Sequence, residues 1–121
     1  WEISRSFMEP EERDLAYLWD MREAAHDVIE FIKGATFDRF SKNKLLRYAV
    51  ERRIEVIGEA ARHISEPFKM KHPEIPWRRI LGQRNILAHE YGEILLERVW
   101  RTAKESIPEL AELLDKMIPP A

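Results

Sequence analysis

Apolar residues recur every three or four positions along most of the chain, with charged residues between them. This period is typical of amphipathic α-helices, and no segment shows the sustained two-residue alternation of a β-strand. The first stretch predicts a helix from about Glu11 to Lys33, with Pro10 tolerated in its first turn and Gly34 at its end. Its apolar positions are Leu15, Leu18, Ala25, Val28, Ile29 and Ile32.

A connector, A-T-F-D-R-F-S, leads to the second predicted helix. We expect Phe37 and Phe40 to cover the core and Ser41 to cap the helix that follows. That helix stops near Ser65, because Pro67 disfavours a helical conformation in the residue before it. Its apolar positions are Leu46, Val50, Ile54, Ile57, Ala61 and Ile64.

The remainder of the chain predicts two or three further helices. Two prolines make K-M-K-H-P-E-I-P-W a rigid turn, after which a helix begins at Trp77. Gly92 marks a break, and a fourth helix runs from about Ile94 to Ser106. Pro108 then bends the chain or starts a last helix that ends at Met117. Because the loops are short, we expect an all-α, up-and-down bundle of four or five helices.

Length and composition narrow the class of protein. A chain of 121 residues fits one domain, which we place at residues 8–121. The preceding residues 1–7 do not join the pattern and are expected to be a leader before a natural start at Met8. The chain has no cysteine, which excludes disulfides and thiolate metal sites. Neither a signal peptide nor a membrane span is visible, and we expect a cytoplasmic protein.

Charge is distributed unevenly although the net charge is only −2. Residues 35–84 hold 12 basic and 6 acidic side chains, whereas acidic residues predominate on both sides of that segment. A concentrated positive patch can attract a polyanion despite a negative total. Candidates for contacts with RNA phosphates are Arg52, Arg53, Arg78 and Arg79. The alternative for each of these arginines is an ordinary surface ion pair.

The run R-N-I-L-A-H-E-Y, from Arg84 to Tyr91, holds the densest group of reactive side chains. Histidine titrates near neutral pH and can move a proton, while arginine presents donors that suit a phosphate. His89 and Arg84 together therefore suit cleavage of RNA without a metal or other cofactor. On a regular helix these two residues lie about 140° apart, so a second subunit is one way to complete the site.

Two other interpretations of these residues remain open. The first is that all three residues are structural: His89 has no chemical role, Arg84 pairs with a glutamate, and Tyr91 closes the core. A metal site is the other: Glu23-x-x-His26 has the helical spacing of carboxylate-bridged metal proteins, and Glu55 and Glu59 could face it. Such proteins use two Glu-x-x-His pairs, whereas Glu59 and His63 are four residues apart, so we expect no metal site.

The ordered set of motifs resembles the HepT-like toxins of the HEPN superfamily (higher eukaryote and prokaryote nucleotide-binding). The signature R-x-x-x-x-H-x-Y matches Arg84, His89 and Tyr91. R-I-E-V-I-G-E-A-A-R-H-I-S, H-P-E-I-P-W-R-R-I-L-G and I-P-E-L are also similar to that family. The resemblance extends from about Leu15 to Leu114.

The resemblance implies a helical homodimer in which two copies of the motif face one another across a cleft. It implies a metal-independent ribonuclease with Arg84 and His89 as the catalytic pair and Asn85 as a supporting polar residue. It also implies a partner antitoxin, a minimal nucleotidyltransferase, that transfers AMP to Tyr91. The alternative within the same fold is a non-catalytic module that binds a nucleotide or the partner enzyme.

Overall fold

The computed structural model describes residues 10–87 and 92–118, with the backbone alone for residues 10, 83–87 and 92–94. These two ranges contain helices and no β-strand, which confirms the prediction of an all-α protein. None of the described helices combines the length and apolar character needed to cross a membrane. The helices are α1 (Pro10–Phe31), α2 (Phe37–Lys42), α3 (Lys44–His63), α4 (Glu66–Lys71), α5 (Trp77–Leu87), α6 (Gly92–Arg101) and α7 (Ile107–Met117). The predicted leader at residues 1–7 lies outside the described residues and stays a prediction.

Helix α1 is the central element, because it packs against both α3 and α7. It ends at Phe31, and the chain then turns at Gly34, whose φ of 75° lies in the left-handed region that favours glycine. Most of the apolar positions predicted for α1 and α3 are buried, but Leu15 is exposed. The buried residues from that prediction are Leu18, Ala25, Val28, Ile32, Val50, Ile54, Ile57, Ala61 and Ile64.

The connector before α3 is itself a short helix, which the sequence pattern did not predict. The prediction that Ser41 caps α3 is wrong, since Asn43 accepts the N–H of Leu46 at 3.0 Å in that role. Ser41 lies within α2, where its hydroxyl donates to the carbonyl of Asp38 at 2.8 Å. As expected, Phe40 is buried; its ring lies 5.2 Å from that of Trp100 in α6.

A buried carboxylate ties α1 to the corner between α3 and α4. Asp14 accepts hydrogen bonds from the backbone N–H of Ser65 at 2.9 Å and from its hydroxyl at 2.6 Å. The same hydroxyl accepts the N–H of Phe68 at 3.3 Å and so caps α4. Ser65 therefore caps α4 and also supplies two hydrogen bonds to the buried carboxylate of Asp14.

The turn before α5 is held by side chains on both of its ends. Lys69–Lys71, which we expected to belong to this turn, form the end of α4. The turn itself begins at His72, whose carbonyl accepts the indole N–H of Trp77 at 3.0 Å, while its Nδ1 lies 3.0 Å from a carboxylate oxygen of Glu74. The start of α5 at Trp77 is confirmed, and these bonds fix the direction in which that helix leaves the turn.

The helix after residue 91 begins at Gly92, two residues earlier than the predicted start. Its hydrogen-bond pattern changes from α-helical to π-helical before Pro108. Residues Thr102–Ser106 form a π-helical turn, in which the N–H of Ile107 donates to the carbonyl of Thr102. Proline has no N–H, and its ring clashes with the carbonyl four residues earlier in a regular helix. The wider π turn relieves that clash, so α6 and α7 continue as one helical rod.

Ser65→Ala should lower the free energy of unfolding by about 2–3 kcal/mol, because it removes a helix cap and a hydrogen bond to a buried carboxylate. Thr36→Ala is the matched control, since Thr36 caps α2 without serving a buried group. We expect it to cost about 1 kcal/mol. Urea unfolding measures both values, and equal losses would show that the Asp14 bond adds nothing.

The carboxyl of Glu74 should titrate below its usual pKa of 4.5, because the His72 side chain hydrogen-bonds to it. A depressed pKa means that this interaction stabilises the fold above about pH 4.5 and is lost as the pH falls through the lowered pKa. In an NMR titration, His72→Ala should move the Glu74 pKa back towards its usual value. His63→Ala should leave it unchanged; a shift with this variant instead would contradict the assignment.

Candidate functional site

Helix α5 carries the first part of the R-N-I-L-A-H-E-Y motif. Arg84 and Asn85 lie on its last turns, although their side chains are outside the described part of the structure. His89 and Tyr91 lie outside the described residues altogether. The predicted pairing of Arg84 with His89 therefore stays a prediction. The chain resumes in α6 at Gly92, and α5 and α6 contact each other, so the motif lies where two neighbouring helices join.

Packing against α3 positions α5 in the fold. Ile80 is buried in the core, and Trp77 and Leu81 pack against it from the same helix. Trp77 also stands edge-on to Phe68 of α4, with 6.3 Å between the ring centroids. Packing of this kind gives rigid support to the helix that carries Arg84.

The four arginines predicted to contact RNA fall into two groups. In α3, Arg52 forms an ion pair with Glu55 at 3.4 Å, and Arg53 forms one with Asp27 at 3.4 Å. Arg78 and Arg79 are exposed on the first turn of α5, the helix that carries Arg84. The α5 pair therefore shares a helix with the first residues of the motif, whereas the α3 pair does not.

An open groove of about 600 Å³ lies between α5 and the rod formed by α6 and the π turn. Sequence analysis identified only Arg79 among its lining residues. The missed arginines, Arg98 and Arg101, are one helical turn apart, a weak signal that becomes informative only once α6 is placed beside α5. We call this the arginine groove; it is lined by Arg79, Gly82, Arg98, Arg101, Thr102, Glu105 and Ser106.

A second, smaller cavity of about 280 Å³ lies between α1 and α3. Tyr17 and His63 form one side of it, with their rings stacked 5.0 Å apart and 16° from parallel. Arg52 and Glu59 also line this cavity. It is built by helices other than those that flank the motif.

Two of the residues considered for a metal site form other side-chain contacts. Nε2 of His26 lies 2.9 Å from a carboxylate oxygen of Asp115 in α7, and Glu55 pairs with Arg52. Among the side chains that the structure describes, no three histidine or carboxylate groups come close enough to hold a metal ion.

Comparison with known proteins bears on the motif directly. The sequence profile described as "Ribonuclease HepT-like" matches residues 21–117. Two relatives from Methanocaldococcus jannaschii, each named "Putative RNase", are 45% and 40% identical to the chain. The first alignment covers 78% of this chain and 87% of the relative, and the second covers 88% of each.

A third relative, from Thermococcus cleftensis, is named "Probable ribonuclease HepT". It is 40% identical over 84% of this chain and 92% of its own length. No solved structure matches the chain significantly. Because the family profile spans most of the chain and includes the whole run from Arg84 to Tyr91, the chain belongs to the ribonuclease HepT-like family.

Proposed function

We propose that the protein is a metal-independent endoribonuclease that acts as the toxin of a toxin–antitoxin system. The observation that carries this proposal is the family match over residues 21–117, within which the sequence keeps both Arg84 and His89. The names of the relatives point to the same activity. The location of Arg84 on a helix supported by the core is what such a site requires.

The proposed reaction uses the RNA's own ribose as the nucleophile. The imidazole of His89 takes the proton from the 2′-hydroxyl, and the 2′-oxygen forms a bond to the adjacent phosphorus. The bond from phosphorus to the 5′-oxygen breaks, and the leaving oxygen receives the proton that the imidazole has taken up. The products are a 2′,3′-cyclic phosphate and a 5′-hydroxyl. Arg84 stabilises the negative charge that develops on the phosphoryl oxygens.

We propose that the active unit is a homodimer. His89 follows Arg84 by five positions, which on a regular α-helix leaves the two side chains about 140° apart. Two side chains that diverge in this way are brought together most simply when two copies of the motif face each other. Asn85 then supplies a further polar group beside Arg84.

Control of this site is proposed to act at Tyr91. A partner minimal nucleotidyltransferase, the antitoxin, transfers AMP from ATP to the tyrosine oxygen, which loses its proton as pyrophosphate leaves. The added phosphate brings negative charge and bulk next to Arg84 and His89. It therefore repels the RNA backbone and blocks access to the cleft. Arg52, Arg53, Arg78 and Arg79 remain candidates for contacts with the RNA on either side of the bond that is cut.

Purified protein should cleave single-stranded RNA in the presence of EDTA and leave 2′,3′-cyclic phosphate ends. His89→Ala should lower the rate by about 10²–10⁴-fold, the usual contribution of a general base. Product ends can be identified by mass spectrometry after electrophoretic separation. A deoxyribose substituted at the cut position should also block the reaction, since it lacks the nucleophile.

His63→Ala is the matched control, because His63 lies in the α1–α3 cavity and should leave cleavage unchanged. If clean protein binds RNA but never cuts it over a range of substrates, the non-catalytic module is the correct interpretation. Full activity of His89→Ala would instead remove the assigned base.

Incubation with the partner nucleotidyltransferase and ATP should add the mass of AMP to the wild-type chain and abolish cleavage. Tyr91→Phe should prevent the addition while keeping the ribonuclease activity, because the ring remains and only the acceptor hydroxyl is removed. Tyr48→Phe is the control, since Tyr48 is an exposed tyrosine on α3, outside the motif. Unchanged labelling of Tyr91→Phe would place the modification elsewhere.

A further inference from the structure

The arginine groove carries an excess of positive charge. Three of its lining side chains, Arg79, Arg98 and Arg101, are exposed cations, whereas Glu105 is the single acidic group among the lining residues that the structure describes. None of the three forms an ion pair with a side chain that the structure describes, in contrast to Arg52 and Arg53. Guanidinium groups that face an open groove without a carboxylate partner are available to bind an anion from solution.

Gly82 leaves part of the α5 wall of the groove without a side chain. It lies inside α5, where glycine is a poor helix former, and close packing does not require it, since a Cβ built there meets nothing within 4 Å. Glycine at such a position leaves the backbone open to close approach by a ligand. The two hydroxyl residues on the opposite wall, Thr102 and Ser106, add polar groups to the same space.

The groove is formed by the two helices that border the motif in the sequence. Its two walls are α5 and α6, the helices that immediately precede and follow residues 88–91. Arg79 stands five residues before Arg84 on α5, a rise of about 7.5 Å along the helix axis. An extended polyanion that lies in the groove is therefore directed along α5 towards the proposed catalytic residues.

We propose that the arginine groove binds the phosphate backbone of the RNA strand next to the bond that is cut. This proposal rests on the ribonuclease function proposed above and names the part of the chain that holds its substrate. Arg79, Arg98 and Arg101 contact phosphates, and such contacts position the strand without selecting a base sequence. The groove thus contributes affinity and register, while the chemistry belongs to Arg84 and His89.

The sharpest test places opposite charges at Gly82. Gly82→Glu and Gly82→Lys add side chains of similar bulk at a site where a Cβ meets no neighbour. Binding of a 2′-O-methyl RNA oligonucleotide, which has no free 2′-hydroxyl and is not cut, is measured by fluorescence anisotropy. At 0.1 M salt we expect Gly82→Glu to weaken binding about fivefold and Gly82→Lys to retain or tighten it. Gly82→Ala, neutral and small, is the reference that separates the effect of an added side chain from the effect of its charge.

A second variant removes the arginines themselves. Combining Arg98→Gln with Arg101→Gln should make the salt slope of RNA binding shallower by about 0.7 for each phosphate that an arginine no longer neutralises. For two phosphates this corresponds to about 25-fold weaker binding at 0.1 M salt. Arg62→Gln is the matched control, because Arg62 is exposed on α3 and does not line the groove. It should leave both quantities unchanged. Thermal unfolding of every variant verifies that the fold is retained.

These measurements test RNA binding by the groove independently of RNA cleavage by the protein. Equal affinities for Gly82→Glu and Gly82→Lys, with an unchanged salt slope in the arginine variant, would overturn the groove as an RNA site even if the wild type cuts RNA. Charge-dependent RNA binding in a protein that never cuts RNA would support the groove and remove the ribonuclease function. If the variants instead fail to bind the partner nucleotidyltransferase while still binding RNA normally, the groove is a protein-docking surface and the proposal is overturned.

Discussion

Burial of helix α1 between α3 and α7 is the interaction on which the positions of the other helices depend. Met21, Ala24 and Ala25 are completely shielded from solvent, and the two alanines allow neighbouring helices to approach closely. Helix α3 packs against α1, and α5 packs against α3. The helix that carries Arg84 is therefore held in place by packing that leads back to α1. The Asp14–Ser65 bonds add a directional constraint to this non-directional packing.

Hydrophobic periodicity predicted the long helices well and the short ones not at all. Helices α1 and α3 run for 22 and 20 residues, enough turns for the three- and four-residue spacing to be evident. Helices α2 and α4 have six residues each, fewer than two turns, and a period cannot be recognised over so short a stretch. Their signals are the caps Thr36 and Ser65, each followed three residues later by the N–H that it accepts.

Some residues of the candidate site are close together in the sequence, whereas others are brought together only by the packing of helices. The spacing of Arg84, His89 and Tyr91 is visible in the sequence because all three fall within eight residues. The meeting of Arg79 with Arg98 and Arg101 is not, because it depends on how α5 and α6 pack against each other. For the same reason, sequence alone could not distinguish arginines in ion pairs, such as Arg53, from arginines that face open solvent.

Pro108 has an effect that reaches beyond its own helix. The buried residues Val99, Ala103 and Ile107 follow one another at intervals of four, a spacing that drifts by about 40° per step around a regular helix. The wider π turn absorbs that drift and keeps all three on the core side. The rotational phase of α6, and with it the face that it presents to α5, is thus coupled to a residue on α7. Replacing Pro108 would remove the clash that the π turn relieves, and with it the local reason for the change of winding between α6 and α7.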